Sequence, residues 1–137
     1  MKFLTEQMNE NLKDSSFKKT VERLDMEDKL HDSVLYQLEV KKVYLLPDLS
    51  LTKLSQIVGT NTTYLSKVVN HRFGSNFRML LNRYRVAYAI KLMCESADGY
   101  EMENIIRQSG FISRSVFYNA FLRVEGVPPI RYMEKMN

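Results

Sequence analysis

Apolar positions along this chain recur three and four residues apart and show no sustained alternation, a pattern that predicts helices and no strands. Between Asp28 and about Leu45, the residues Leu30, Val34, Leu38 and Leu45 fall four or seven apart, giving one buried stripe. Pro47 is read as the end of that helix, because the residue before a proline avoids helical geometry. Earlier, Phe17, Val21 and Leu24 form a weaker stripe behind Asp14, Ser15 and Ser16, which can cap a short helix. Residues 1–27 are read as a linker or the tail of a missing upstream region, and 28–137 as the folded domain.

Two units inside that domain echo each other. Ser50 caps a short helix bearing Leu51, Leu54, Ile57 and Val58, and Gly59 ends it. Asn61 caps the next helix, with Leu65, Val68 and Val69, which Gly74 closes. Ser75 is read as opening a longer helix to about Glu95, with Phe77, Leu81, Tyr84, Tyr88 and Leu92 inward. After a loop at Ser96-Ala97-Asp98-Gly99 the short pattern returns. Met102, Ile105 and Ile106 precede Gly110, Ser113 caps a helix with Val116, Phe117, Ala120 and Phe121, and Gly126 ends it. Pro128-Pro129 opens a last helix with Tyr132 and Met136. The turn glycine and the closing glycine stand 15 residues apart in the first unit and 16 in the second. A helix, a tight turn and a second capped helix is the helix-turn-helix pattern. The expected fold is all-α, with about seven helices: two helix-turn-helix subdomains, about 50–74 and 101–126, joined by a central helix over about 75–96. A plain helical bundle competes with this reading.

Charge sharpens the picture. Residues 49–94 carry Lys53, Lys67, Arg72, Arg78, Arg83, Arg85 and Lys91 and no carboxylate, whereas residues 1–32 are net −2 and 95–137 net −1. A basic stretch between acidic flanks suits a polyanion, and a solvated basic face is the other reading. With one cysteine, Cys94, no internal disulfide can form. His31 and His71 lie far apart, so no zinc ligand set and no cofactor are expected. Cys94 has no histidine near it in sequence, and no enzyme is expected. There is no signal-peptide core and no apolar run long enough for a membrane helix, so a cytoplasmic segment without membrane contact is expected.

The second unit carries a specific likeness. Gly110-Phe111-Ile112-Ser113-Arg114-Ser115-Val116-Phe117-Tyr118-Asn119-Ala120-Phe121, followed by Gly126-Val127-Pro128-Pro129-Ile130-Arg131-Tyr132, resembles the signature of the AraC/XylS family of bacterial regulators. Leu54 to Gly74 and the helix bearing Asn82, Tyr84, Arg85, Val86 and Ala89 are similar to the same family, so the resemblance spans about residues 30–137. Ser55 and Ile106 stand where members often have alanine, and Leu122 and Met133 where they often have a base.

The resemblance implies a sequence-specific DNA-binding transcription regulator. Double-stranded DNA is its partner, with RNA polymerase and an upstream sensor domain as further candidates. The second helix of each unit would enter the major groove near its N-terminus. In the first unit the candidates are Asn61, Thr62, Thr63, Tyr64, Ser66 and Lys67, of which the resemblance turns Thr63, Ser66 and Lys67 to the bases. Asn70, His71 and Arg72 lie further along, toward phosphate. In the second unit Ser113, Arg114, Ser115, Tyr118 and Asn119 are the candidates, with Arg114 suited to guanine and Asn119 to adenine. The residues alone keep other readings open. Asn61 and Ser113 read as caps first, Tyr64 and Tyr118 as rings at helix contacts, and Lys67, Arg72 and Arg114 as surface charges. Arg85 reads as the partner of a helix end. The competing function is a helical module that binds protein without reading DNA.

Overall fold

The computed structural model describes residues 15–96 and 101–136. Seven α-helices and one 3-10 turn lie in that range: α1 (Ser15–Glu39), the turn Val43–Leu45, α2 (Leu51–Val58), α3 (Thr62–Phe73), α4 (Phe77–Glu95), α5 (Met102–Gln108), α6 (Arg114–Glu125) and α7 (Pro129–Met136). No strand occurs among the described residues. The fold is all-α, as the spacing predicts.

Three helix starts follow the expected caps. The side chains of Ser50, Asn61 and Ser113 accept from the backbone N–H of Lys53, Tyr64 and Val116 at 3.1, 2.8 and 3.2 Å. Each satisfies one of the donors that a helix start leaves unpaired. The central helix differs from expectation. Asn76, not Ser75, is its cap, accepting from Met79 N–H at 2.8 Å, so α4 starts at Phe77.

The first helix differs more. It runs unbroken from Ser15 to Glu39, so the boundary drawn at residue 27 falls inside it. The cap proposed for Asp14 and the loop at residues 97–99 lie outside the described residues. Nor does the helix reach Leu45. Val40 and Lys41 both donate to the Tyr36 carbonyl, and Lys42 adopts a left-handed φ of 53°. The reversal frees Tyr44 to turn inward, where it is buried. Proline was therefore not needed to end this helix.

Two cores result. Leu30, Val34, Leu38, Leu54, Leu65 and Val68 belong to the first, and Ile105, Ile106, Phe111, Phe117, Ala120 and Phe121 to the second. Helix α4 serves both. Leu80 and Leu81 join the first core, and Val86, Ala89 and Met93 join the second. One inward stripe was expected on α4. It has two because it is packed by a different unit at each end, so Tyr84 and Tyr88 are only half-buried. Ser55 and Ile106 fit without disruption. The Ser55 hydroxyl donates to the Thr52 carbonyl at 2.7 Å, and Ile106 is buried. No helix among the described residues is long and apolar enough to cross a membrane.

Candidate nucleic-acid interface

The helices α3 and α6 are built alike. Each has 12 residues, a side-chain cap and a closing glycine in the left-handed region, Gly74 or Gly126. Each buries a residue four positions past its cap, Leu65 or Phe117, with no exposure at all. Burial on that side rotates the opposite stripe outward. On α3 the outward stripe is Thr63, Ser66, Lys67 and Asn70, and on α6 it is Ser115, Tyr118, Asn119 and Leu122. These sets occupy equivalent positions relative to the two caps.

Lys67 and Asn119 are exposed and make no hydrogen bond or ion pair with any described residue, which leaves their polar ends available. The Asn70 amide donates to the Ser66 carbonyl at 2.7 Å, which keeps Nδ2 on its own helix. Tyr64 and Tyr118 are half-buried, and the Tyr118 ring meets Phe117 edge-on at 5.4 Å, so both rings are partly structural. Asn61 and Ser113 are engaged as caps, while Thr62 is half-buried in the first turn of α3.

Two candidate cations are already engaged. The Arg72 guanidinium donates to Asp28 at 2.6 Å and stands 3.8 Å from the buried Glu27, so two neighbouring acids of α1 hold it. Its hydrogen bond to Asp28 raises its pKa above the usual arginine value. His71 lies 3.4 Å from the same Glu27 carboxylate. The C-terminal end of α3 is therefore anchored to α1. Arg114 donates through Nε and Nη2 to one Glu103 oxygen, at 3.1 and 2.6 Å, and lies 5.9 Å from the Tyr118 ring centre. That bond likewise holds its pKa above the ordinary value. The pairing occupies Nε and Nη2 and leaves Nη1 without a partner among the described residues.

The uniform basic stretch seen in sequence is thinner in space. Lys53 pairs with Asp48, Arg72 with α1, and Arg85 is buried. Lys67, Arg78, Arg83 and Lys91 remain exposed and unpaired among the described residues. Arg78 and Asn82 on α4 and Arg123 on α6 line a cleft of about 860 Å³ that also includes Asn119. Arg78 was read only as part of the basic stretch and Asn82 only as part of the resemblance; that they meet Arg123 in one cleft was not read, because no linear signal places α4 opposite α6.

Residues 54–135 match a family model described as a helix-turn-helix domain. The chain belongs to the AraC/XylS family. Among curated relatives, it is 36% identical over 74 residues to the TCP pilus virulence regulatory protein of Vibrio cholerae, covering 54% of this chain and 26% of that protein. It is 30% identical over 108 residues to the regulatory protein PocR of Salmonella typhimurium, covering 78% of this chain and 35% of that one. The chain thus spans only about a quarter to a third of these AraC/XylS relatives. Among solved structures, the C-terminal domain of AraT, a response regulator from Geobacillus stearothermophilus, superposes with a TM-score of 0.67 at 22% identity, over 78% of this chain and 84% of that one. A Listeria innocua protein of unknown function gives 0.61 at 28% identity, over 69% and 88%. The fold is that of the AraC/XylS DNA-binding domain.

Proposed function

We propose that this chain is the DNA-reading part of a transcription regulator, and that one copy reads a two-part duplex site. The observation that carries the reading is the matched pair of outward stripes on α3 and α6, held by one connecting helix. Helix α4 has 19 residues, so it measures about 28 Å. One turn of B-DNA is about 34 Å, and a rod of that scale suits two reading helices in successive major-groove segments on one face. The stripes differ chemically: Thr63, Ser66 and Lys67 on one, Ser115, Tyr118 and Asn119 on the other. The two half-sites then differ in sequence. Lys67 supplies a donor for guanine N7 and O6, and Asn119 a bidentate pair for adenine. The curated relatives are regulators much longer than their match to this chain, which supports a sensor region elsewhere in the whole protein.

Selection of duplexes from a random pool by the purified chain, followed by footprinting, tests this. The expected result is one asymmetric footprint covering two adjacent half-sites. The exposed, unpaired bases Lys67, Arg78, Arg83 and Lys91 set the expected salt dependence, a log–log slope of about −3 to −4. A flat response would favour a protein-binding helical module instead.

A further inference from the structure

The cleft between the two units is lined by arginines and by no acid. Arg78 and Arg123 enter it from different helices, α4 and α6, and Asn82 lines it beside Arg78. None of these three side chains has a hydrogen-bond or ion-pair partner among the described residues. No carboxylate lines the cleft. Arg72 and Arg114 are each held by an acid, Asp28 and Glu103, whereas the two guanidinium groups at this acid-free cleft are free to take an external anion. An anion in the cleft could take charge-assisted hydrogen bonds from both guanidinium groups.

The occupant follows from where the cleft opens. Asn119 lines it and also belongs to the outward stripe of α6, so the cleft continues the second reading face. Its apolar wall includes Ile112, which is 75% exposed, and Leu122, which is 49% exposed. These side chains could pack against the apolar flank of a deoxyribose.

We propose that this cleft is a third DNA contact, in which Arg78, Arg123 and Asn82 hold the sugar-phosphate strand between the two half-sites. The inference rests on the DNA-reading function above. It places phosphate contacts between the two half-sites, drawn from the connecting helix and from α6, and makes them depend on both units being seated together. It also offsets the loss of a base at Leu122, since Arg123 one residue on supplies the charge.

The test uses the full 137-residue chain and its selected duplex, with methylphosphonates replacing the central phosphates in a second duplex. Wild type is expected to bind the neutralised duplex about tenfold more weakly, as for loss of charge-assisted hydrogen bonds. The double variant Arg78→Gln/Arg123→Gln alters only exposed, unpaired side chains, so circular dichroism and melting should match wild type. Its salt slope is expected to be shallower by about 1.8, at roughly 0.9 per lost phosphate contact. It should also bind both duplexes equally. A variant that keeps the wild-type slope, or still loses affinity on the neutralised duplex, overturns the central contact while leaving the two reading helices intact. A wild type that binds no DNA removes the function and this site together.

Discussion

Arg85 donates from Nε to the carbonyl of Tyr44 at 2.7 Å, and its Nη2 reaches the Leu46 carbonyl at 2.8 Å. The same guanidinium lies 5.8 Å from the centre of the Phe111 ring. One side chain thus ties the turn after α1, the connecting helix and the turn of the second unit. Burial pushes its pKa below the usual arginine value, yet it stays charged at any working pH. Arg85→Met keeps most of the volume and removes both bonds; the Tyr44 carbonyl loses its partner, while the Leu46 carbonyl keeps the Leu49 N–H at 3.1 Å. The expected loss is about 3 kcal/mol, seen as a lower urea midpoint. A loss under about 1 kcal/mol would show that water replaces the guanidinium at no cost.

Gly110 sits directly beneath that contact. A Cβ built there would stand 2.6 Å from the Tyr44 carbonyl oxygen and 3.0 Å from Arg85 Nε, and its φ of +91° already disfavours a side chain. At Gly59 the φ is +75°, but no atom lies within 4 Å of the added Cβ. Gly59→Ala is therefore expected to cost about 1 kcal/mol from backbone geometry alone. Gly110→Ala adds a backbone clash and is expected to cost at least about 2 kcal/mol more, by analogy with overpacking of a filled site. Denaturant unfolding of the two variants side by side checks the difference.

The contrast between those glycines marks where sequence reasoning stops. Both were legible as turn residues, because a helix that ends in a left-handed residue favours glycine. The caps Ser50, Asn61 and Ser113 were legible for the same local reason. What Gly110 packs against was not, since Tyr44 and Arg85 lie 66 and 25 residues earlier. The ion pairs that engage Arg72 and Arg114 were equally invisible, being made to Asp28 and Glu103 on other elements. Most of the outward stripe on each reading helix was implied by the family resemblance. The cleft between them was not, because it depends on how both units pack on α4.

Tyr84 donates to the Glu39 carboxylate at 2.6 Å, linking α4 to the end of α1. Burial first, then that hydrogen bond, raises its pKa well above the usual 10. The unfolded chain ionises this phenol near pH 10, while the folded chain keeps it protonated. Its contribution is therefore complete below pH 10 and declines as pH climbs toward the raised folded value. With allowance for solvent screening, the decline is expected to be at most about 1 kcal/mol per pH unit. Between pH 9 and 11, wild type should lose more stability than Tyr84→Phe. Equal losses would place the alkaline sensitivity in other tyrosines.

The Glu103–Arg114 pair predicts an unusual gain. If Arg114 reads a base, Glu103 competes with DNA for it. Glu103→Gln is expected to tighten binding to the selected site by at most about fivefold, the scale of an exposed ion pair. It should also steepen the salt slope by about 0.9. Unchanged affinity together with an unchanged slope would mean that Arg114 remains a structural partner of α5.

Lys67→Ala and Asn119→Ala provide the sharpest test of a single chain reading two half-sites, because both side chains are exposed and unpaired and neither supports the fold. Each is expected to weaken binding about tenfold to a hundredfold on the selected duplex and much less on random DNA. Base changes should then separate them. A mutated first half-site should cost Lys67→Ala little further affinity, and a mutated second half-site should do the same for Asn119→Ala. Spacing adds a second constraint. Inserting half a helical turn between the half-sites rotates one stripe off its groove and should abolish joint binding. A full-turn insertion should not restore it, because a helix of about 28 Å cannot span two turns of about 34 Å each. Two chains bound to a symmetric site, each using one unit, would overturn the single-chain arrangement, and gel-shift stoichiometry on the selected duplex measures that directly.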